Sequence, residues 1–415
     1  MKTKIGSILL LLLCATTSLH SQQNNFTDHF TEQRLRINIV LAGNSQEQHC
    51  YLESLNKEPF WGGSQSSLVQ DMNYGEYNYR VETQSGKIIF SKGFNTLFQE
   101  WRTTAEANEI SKSFRSSYTI PFPNNKVNVI FSERNRNDGK FYDIATFPID
   151  PLNKSISSEN TNDFNICKIH DQGDPKNKVD LVLIAEGYTL DQMDKFRKDA
   201  KRFVGYLFDI EPYKSREKDF NIWVVESVSK DSGTDIPHND KWANTALSSM
   251  FYTFGIDRYL TAPDQTIIAQ AASEVPYDAL YVIVNTEKYG GGGIYNFYGL
   301  SMADHPTSAQ VFVHELGHSF AGLADEYYTS DVAYQEFYNL ALEPWEPNIT
   351  TKVNFESKWA DMLEGGKAGL FEGGGYMAKG IFRPAEDCRM KANTAPAFCP
   401  VCTRAINKMI DNYIK

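Results

Sequence analysis

Residues 311–328 read VFVHELGHSFAGLADEYY. Two imidazoles four positions apart, His314 and His318, fall on one face of an α-helix, so both can reach one metal ion from the same side. Glu315 sits beside that face and can take a proton from a water molecule held there. Two neutral nitrogen ligands and a carboxylate base are what metal-assisted amide hydrolysis needs, and Zn2+ is the ion such a set suits.

A hydrolytic zinc site keeps three protein ligands and one open position. In the metzincin pattern the third ligand stands six residues past the second histidine, after a glycine turn. Here Gly322 provides the turn, but position 324 is Ala324, which cannot ligate. Asp325 and Glu326 follow directly. Asp325 is the preferred third ligand, with Glu326 next and a glutamate on a later helix, Glu336 or Glu343, after that. The carboxylate left over would brace a histidine N–H. Thr307 or Ser308 can cap the helix that carries the histidines.

These side chains need a rigid frame. Residues 179–185 (VDLVLIA) form an almost unbroken apolar run, which predicts a strand buried on both faces. Residues 220–228 and 279–285 predict two more strands. Between them, residues 190–208 have helical spacing, with Met193, Phe196, Ala200, Phe203, Val204 and Leu207 on one stripe. Strands alternating with helices imply an α/β layer arrangement over residues 165–415. Gly290 to Gly293 lack the Lys-Ser/Thr continuation of a phosphate loop. Their place just before the histidines suits an edge strand that pairs with substrate backbone. Residues 22–150 read differently, with alternating runs at 34–41, 77–82, 87–90 and 126–131 separated by turn signals, and predict an antiparallel β-sandwich. His29 and His49 stand alone there and read as surface residues. The polar stretch 151–164 reads as a linker.

The 415 residues carry a formal charge of −11, with 41% apolar and 22% charged side chains. An acidic chain of ordinary composition disfavours nucleic-acid or anionic-membrane binding. Lys2 and Lys4 followed by an apolar run to about Ala15 predict an export signal over residues 1–21, too short to span a bilayer. A lipoprotein signal acylated at Cys14 is disfavoured, because Leu13 stands where a small residue is usual. The protein is therefore expected to be exported, periplasmic or extracellular. Cys50, Cys167, Cys388, Cys399 and Cys402 remain. Cys399 and Cys402 could form half of a zinc knuckle with Cys388, but no fourth ligand stands out, so a disulfide or plain buried thiols is the preferred reading.

Taken together, residues 314–327 (HELGHSFAGLADEY), 375–384 (GYMAKGIFRP), 388–390 (CRM) and 398–402 (FCPVC) resemble the IgA-peptidase family of bacterial zinc metallopeptidases, and the β-rich N-terminal part resembles that family's N-terminal domain. The resemblance implies a zincin-like, metzincin-like catalytic domain of mixed α/β structure and an endopeptidase activity on protein or peptide substrates. Immunoglobulin enters only through the family's label. The resemblance assigns His314 and His318 as zinc ligands, Glu315 as general base, and an acid of the pair Asp325–Glu326 as third ligand. The Cys-x-Met of residues 388–390 is similar to that of archaemetzincins, which makes Met390 the first candidate for the methionine turn beneath the metal and Met377 the second. Tyr376 is a candidate donor to the oxyanion. The alternative to an enzyme is an exported binding protein with a closed structural zinc, which would need both Asp325 and Glu326 on the ion.

Overall fold

The computed structural model describes residues 25–158, 163–329 and 338–414. The export-signal segment, the centre of the linker and Glu336 lie outside the described residues.

The N-terminal part is two antiparallel sheets packed face to face. One has the order β2–β1–β5, from β1 (Phe30–Gly43), β2 (Gln48–Glu58) and β5 (Lys112–Pro123); the other has the order β4–β3–β6–β7, from β3 (Tyr77–Thr83), β4 (Ile88–Phe94), β6 (Val127–Arg134) and β7 (Phe141–Ile149). Leu35, Ile37, Ile39 and Leu41 alternate along β1 into the space between the sheets, where they meet Tyr79, Phe94, Tyr118 and Phe131. The opposite face of β1 is buried too. Arg34, Arg36 and Asn38 are shielded because the C-terminal part covers them. Arg34 donates to the carbonyls of Val275, Ser273 and Ala272 at 3.0, 3.0 and 3.3 Å, lies over the Tyr277 ring, and shares Glu58 with Arg36. A strand that reads as half-solvated is thus the seam between the two parts.

The C-terminal part is built on a six-stranded sheet of order β12–β13–β11–β9–β10–β8. Its strands are β8 (Asn165–His170), β9 (Val179–Glu186), β10 (Phe220–Glu226), β11 (Ala279–Val284), β12 (Gly291–Ile294) and β13 (Tyr298–Met302). The inner four are parallel; β8 and β12 run antiparallel at the edges. Every residue of β9 is buried. Leu181, Leu183 and Ala185 enter a core formed with the helices Met193–Phe208, Ser308–Ala321 and Pro400–Tyr413. Val182 and Ile184 enter a second core on the other face, against the helix Gln265–Ala271. Along Met193–Phe208, Met193, Phe196, Ala200, Phe203 and Leu207 are buried as the spacing predicts, and Val204 sits at the margin. A hairpin of β14 (Phe371–Gly374) and β15 (Met377–Arg383) brings its turn against the segment after the histidine helix, where the amides of Gly375 and Tyr376 donate to the carbonyls of Asp325 and Tyr327.

Candidate metal centre

The helix Ser308–Ala321 positions both histidines. Its start differs from the sequence expectation: neither Thr307 nor Ser308 caps it with a side chain. The Ser308 hydroxyl instead donates to the carbonyls of His305 and Ala303, and the Thr307 hydroxyl pairs with His305 Nδ1. Its end behaves as the sequence predicts. Gly322 has φ +65, which a Cβ disfavours, and the amides of Gly322 and Leu323 return to the carbonyls of His318 and Gly317. The chain then turns back without regular secondary structure, bringing Leu323 and Asp325 to the imidazoles.

That reversal brings three ligand atoms together. His314 Nε2 and His318 Nε2 are 3.0 Å apart, and Asp325 Oδ1 is 3.0 Å from the first and 3.2 Å from the second. The other ring nitrogens are engaged. His314 Nδ1 meets the Arg389 carbonyl at 2.9 Å and His318 Nδ1 the Leu323 carbonyl at 2.6 Å. A carbonyl only accepts, so each Nδ1 carries a proton, and Nε2 is the nitrogen that each ring turns inward and would offer to a metal ion. Two ring nitrogens and a carboxylate oxygen then face one another in a site that calls for positive charge. With no cation between them the site takes up a proton instead: burial alone pulls the His318 imidazole down, yet Asp325 outweighs it and holds the group at about 9, and a metal ion would displace that proton. Burial works to raise the Asp325 carboxyl, and the two imidazoles hold it far below the usual range. This donor set fits a divalent zinc ion in chemistry and number.

Glu315 lies at the same centre, with a carboxylate oxygen within 4.8 Å of both imidazole nitrogens. Burial pushes its carboxyl up, against the pull of the two histidines. Asp325 Oδ2, turned away from the imidazoles, accepts the Tyr376 hydroxyl, and the Gly375 amide donates to the Asp325 carbonyl at 2.8 Å. Tyr376 thus rests on the candidate ligand. Met390 is fully buried under the helix, so close that a Cβ on Gly317 would meet its sulfur at 2.8 Å, and its carbonyl accepts the Glu326 amide. Met377 packs elsewhere, near Ala324, Ile349 and Ile381.

Glu326 does not brace a histidine, contrary to the sequence expectation. Asp325 points to the imidazoles, and Glu326 points into the thiols of Cys399 and Cys402. Glu343 is also removed from the imidazoles: it accepts the Asn354 amide and the Thr351 hydroxyl. The five described cysteines are unbridged.

The glycine run has a packing cause. β12 is laid directly on the histidine helix. A Cβ on Gly293 would collide with the Glu315 carbonyl, and one on Gly291 would come within 2.9 Å of the Glu315 carboxylate. Side-chain-free backbone is therefore held beside the base. β12 is a sheet edge, touched on its outer side by Tyr259 at Gly291. The cleft in front of it is walled by β12, the two histidines, Glu315, Asp325 and Tyr376. Sequence reasoning missed three other contributors. Arg258 directs its charge at Tyr327, Tyr376 and Asp325. Asn95 and Glu100 reach the cleft from the N-terminal part, where the Asn95 amide is tied to the Tyr295 carbonyl at 2.9 Å and Glu100 accepts the Tyr259 hydroxyl. None of these lies in a periodic or spaced pattern, so no sequence signal marks them.

A comparison with curated proteins finds no match. The family profile described as IgA Peptidase M64 matches residues 167–368 and 364–410, and that of the Peptidase M64 N-terminus matches residues 25–143. The chain therefore belongs to the IgA peptidase M64 family.

Proposed function

We propose that the protein is an exported, zinc-dependent endopeptidase with a zincin-like catalytic part, in which His314, His318 and Asp325 hold the ion and Glu315 is the general base. Family membership makes it a peptidase. The observation that carries the finer reading is the meeting of two Nε2 atoms and one Asp325 oxygen beside Glu315. A zinc ion bound there supplies a water of lowered pKa and a Lewis acid for the scissile carbonyl.

This chain's residues do the rest. The Arg389 and Leu323 carbonyls fix both imidazole tautomers. Tyr376 and the Gly375 amide hold Asp325 in place. Glu315, whose carboxyl is raised by burial, accepts the proton of the attacking water and returns it to the leaving amine. β12, at the sheet edge beside the cleft, is the strand that would pair with the backbone of an extended peptide, which gives affinity with little side-chain selectivity. A closed structural site would need Glu326 as a fourth ligand, and Glu326 faces the thiols instead. Among the described residues no helix is long and apolar enough to cross a membrane. Immunoglobulin A, named in the family's description, is one substrate to assay.

The test is cleavage of a proteome-derived peptide library by the mature chain, read by mass spectrometry, with Glu315→Gln alongside. The variant is expected to keep zinc and fold and to lose turnover by roughly 10²–10⁴-fold. Wild-type-like turnover by the variant removes Glu315 from the mechanism.

A further inference from the structure

Behind the candidate catalytic centre the return segment meets the C-terminal helix at a second cluster. Glu326, Cys388, Cys399 and Cys402 each point one ligand atom inward, and these four atoms all lie within 4.8 Å of one another. All four residues are buried. Cys402 Sγ is 3.0 Å and Cys399 Sγ 3.9 Å from Glu326 Oε1, and the sulfurs of Cys388 and Cys402 are 3.8 Å apart. Two sulfurs each ~2.3 Å from a tetrahedral zinc ion stand about 3.8 Å apart. A disulfide needs ~2.05 Å and would leave the buried Glu326 carboxylate facing a group that cannot donate to it.

Three further observations favour a cation. Glu326 Oε1 accepts the Asn348 side-chain amide at 3.0 Å, but Oε2 is buried with no hydrogen-bond partner among the described residues, which costs free energy unless a cation meets it. The Cys399 amide donates to Cys388 Sγ at 3.2 Å and the Cys402 amide to Cys399 Sγ at 3.4 Å, the contacts a thiolate attracts. Cys399 is also the N-cap of the helix Pro400–Tyr413, where the positive end of the helix dipole favours a thiolate. We propose that Glu326, Cys388, Cys399 and Cys402 bind a second, structural divalent cation, with zinc the ion that a three-thiolate, one-carboxylate tetrahedron suits best.

The second ion would clamp the return segment to the C-terminal helix one residue from Asp325. The two centres then share a backbone: Glu326 is anchored to the thiols, its amide to the Met390 carbonyl, and Asp325 is aimed the other way. The second ion is a positioning device for the first.

The test uses the untagged mature chain and elemental analysis after gel filtration. Two zinc ions per chain are expected in the wild type. The double variant His314→Ala/His318→Ala should keep one, and Co2+ loaded into that variant should show a thiolate-to-cobalt charge-transfer band. Glu326→Ala should weaken zinc binding at the histidines about ten- to a hundredfold, as loss of an outer support does. A folded double-histidine variant that takes up neither Zn2+ nor Co2+ overturns the proposal, as does a disulfide among Cys388, Cys399 and Cys402 in protein recovered from its export compartment. If the wild type cleaves peptides with one histidine-bound zinc, this inference fails while the peptidase reading stands.

Discussion

Tyr376→Phe separates two roles for one hydroxyl. The sequence suggests an oxyanion donor; the structure seats the hydroxyl on Asp325 Oδ2. The substitution removes a single oxygen and leaves the backbone alone, which matters because Tyr376 sits at φ +64 with its amide on the Tyr327 carbonyl. A hydrogen bond to a charged, buried acceptor contributes about 1.5–3 kcal/mol. At about 1.4 kcal/mol per decade this is a ten- to hundredfold loss. If Tyr376 steadies the ligand, the loss falls on zinc affinity, measured by competition with a chelator, and kcat recovers in excess zinc. If zinc affinity is unchanged and kcat stays low at saturating zinc, the bracing argument is refuted and the hydroxyl serves the reacting carbonyl.

Gly293→Ala drives a methyl group onto the Glu315 carbonyl and to 2.8 Å from His318 Cβ. Strand and helix must part, so thermal stability should fall by about 1–3 kcal/mol and peptide turnover with it; a fully active variant would show that β12 is not held against the base. Arg34→Met leaves Glu58 to Arg36 alone and takes the donor from three carbonyls at the seam, and denaturant unfolding should report a loss of roughly 1–3 kcal/mol. A loss confined to a few tenths would mean the seam is held by its apolar contacts alone. Asp278→Asn probes a buried acid pair. Burial pushes the Asp180 carboxyl up to about 7, and burial with the Asp180 charge pushes Asp278 up as well. Both groups keep protons in the folded state that the unfolded chain releases above the usual carboxylate range. Their contribution is therefore intact at acid pH and is lost as pH rises toward 7. The variant should gain melting temperature at pH 8 relative to wild type and change little near pH 4; equal destabilisation at both would refute the pair's titration.

What was legible in the sequence is what local burial dictates. The run at β9, the stripe on Met193–Phe208 and the alternation along β1 each report the environment of their own residues, and the strands and helix lie where those patterns put them. What was not legible depends on a second surface. Arg34 and Arg36 read as solvent-facing because nothing in β1 announces the segment 272–277 that buries them. The missing cap on the histidine helix has a local origin instead: the Ser308 hydroxyl is turned to the carbonyls of His305 and Ala303 in the preceding turn.

The adjacent acids show the limit most sharply. Asp325 and Glu326 are equivalent in charge and differ by one methylene, so spacing from His318 cannot rank them. Backbone direction can. Gly322 turns the chain back, and Asp325 and Glu326 then face different partners, the imidazoles and the thiols. Glu326 meets Cys388, Cys399 and Cys402, three thiols for which the sequence offered no fourth partner. On the proposed assignment the third ligand and the role of the cysteines are one question, carried by one adjacent pair of acids. The double variant Asp325→Glu/Glu326→Asp keeps composition and charge and tests this directly: both centres should weaken together, since each receives a carboxylate one methylene too long or too short. Metal content that is unchanged at both would mean that neither acid is held by the geometry described.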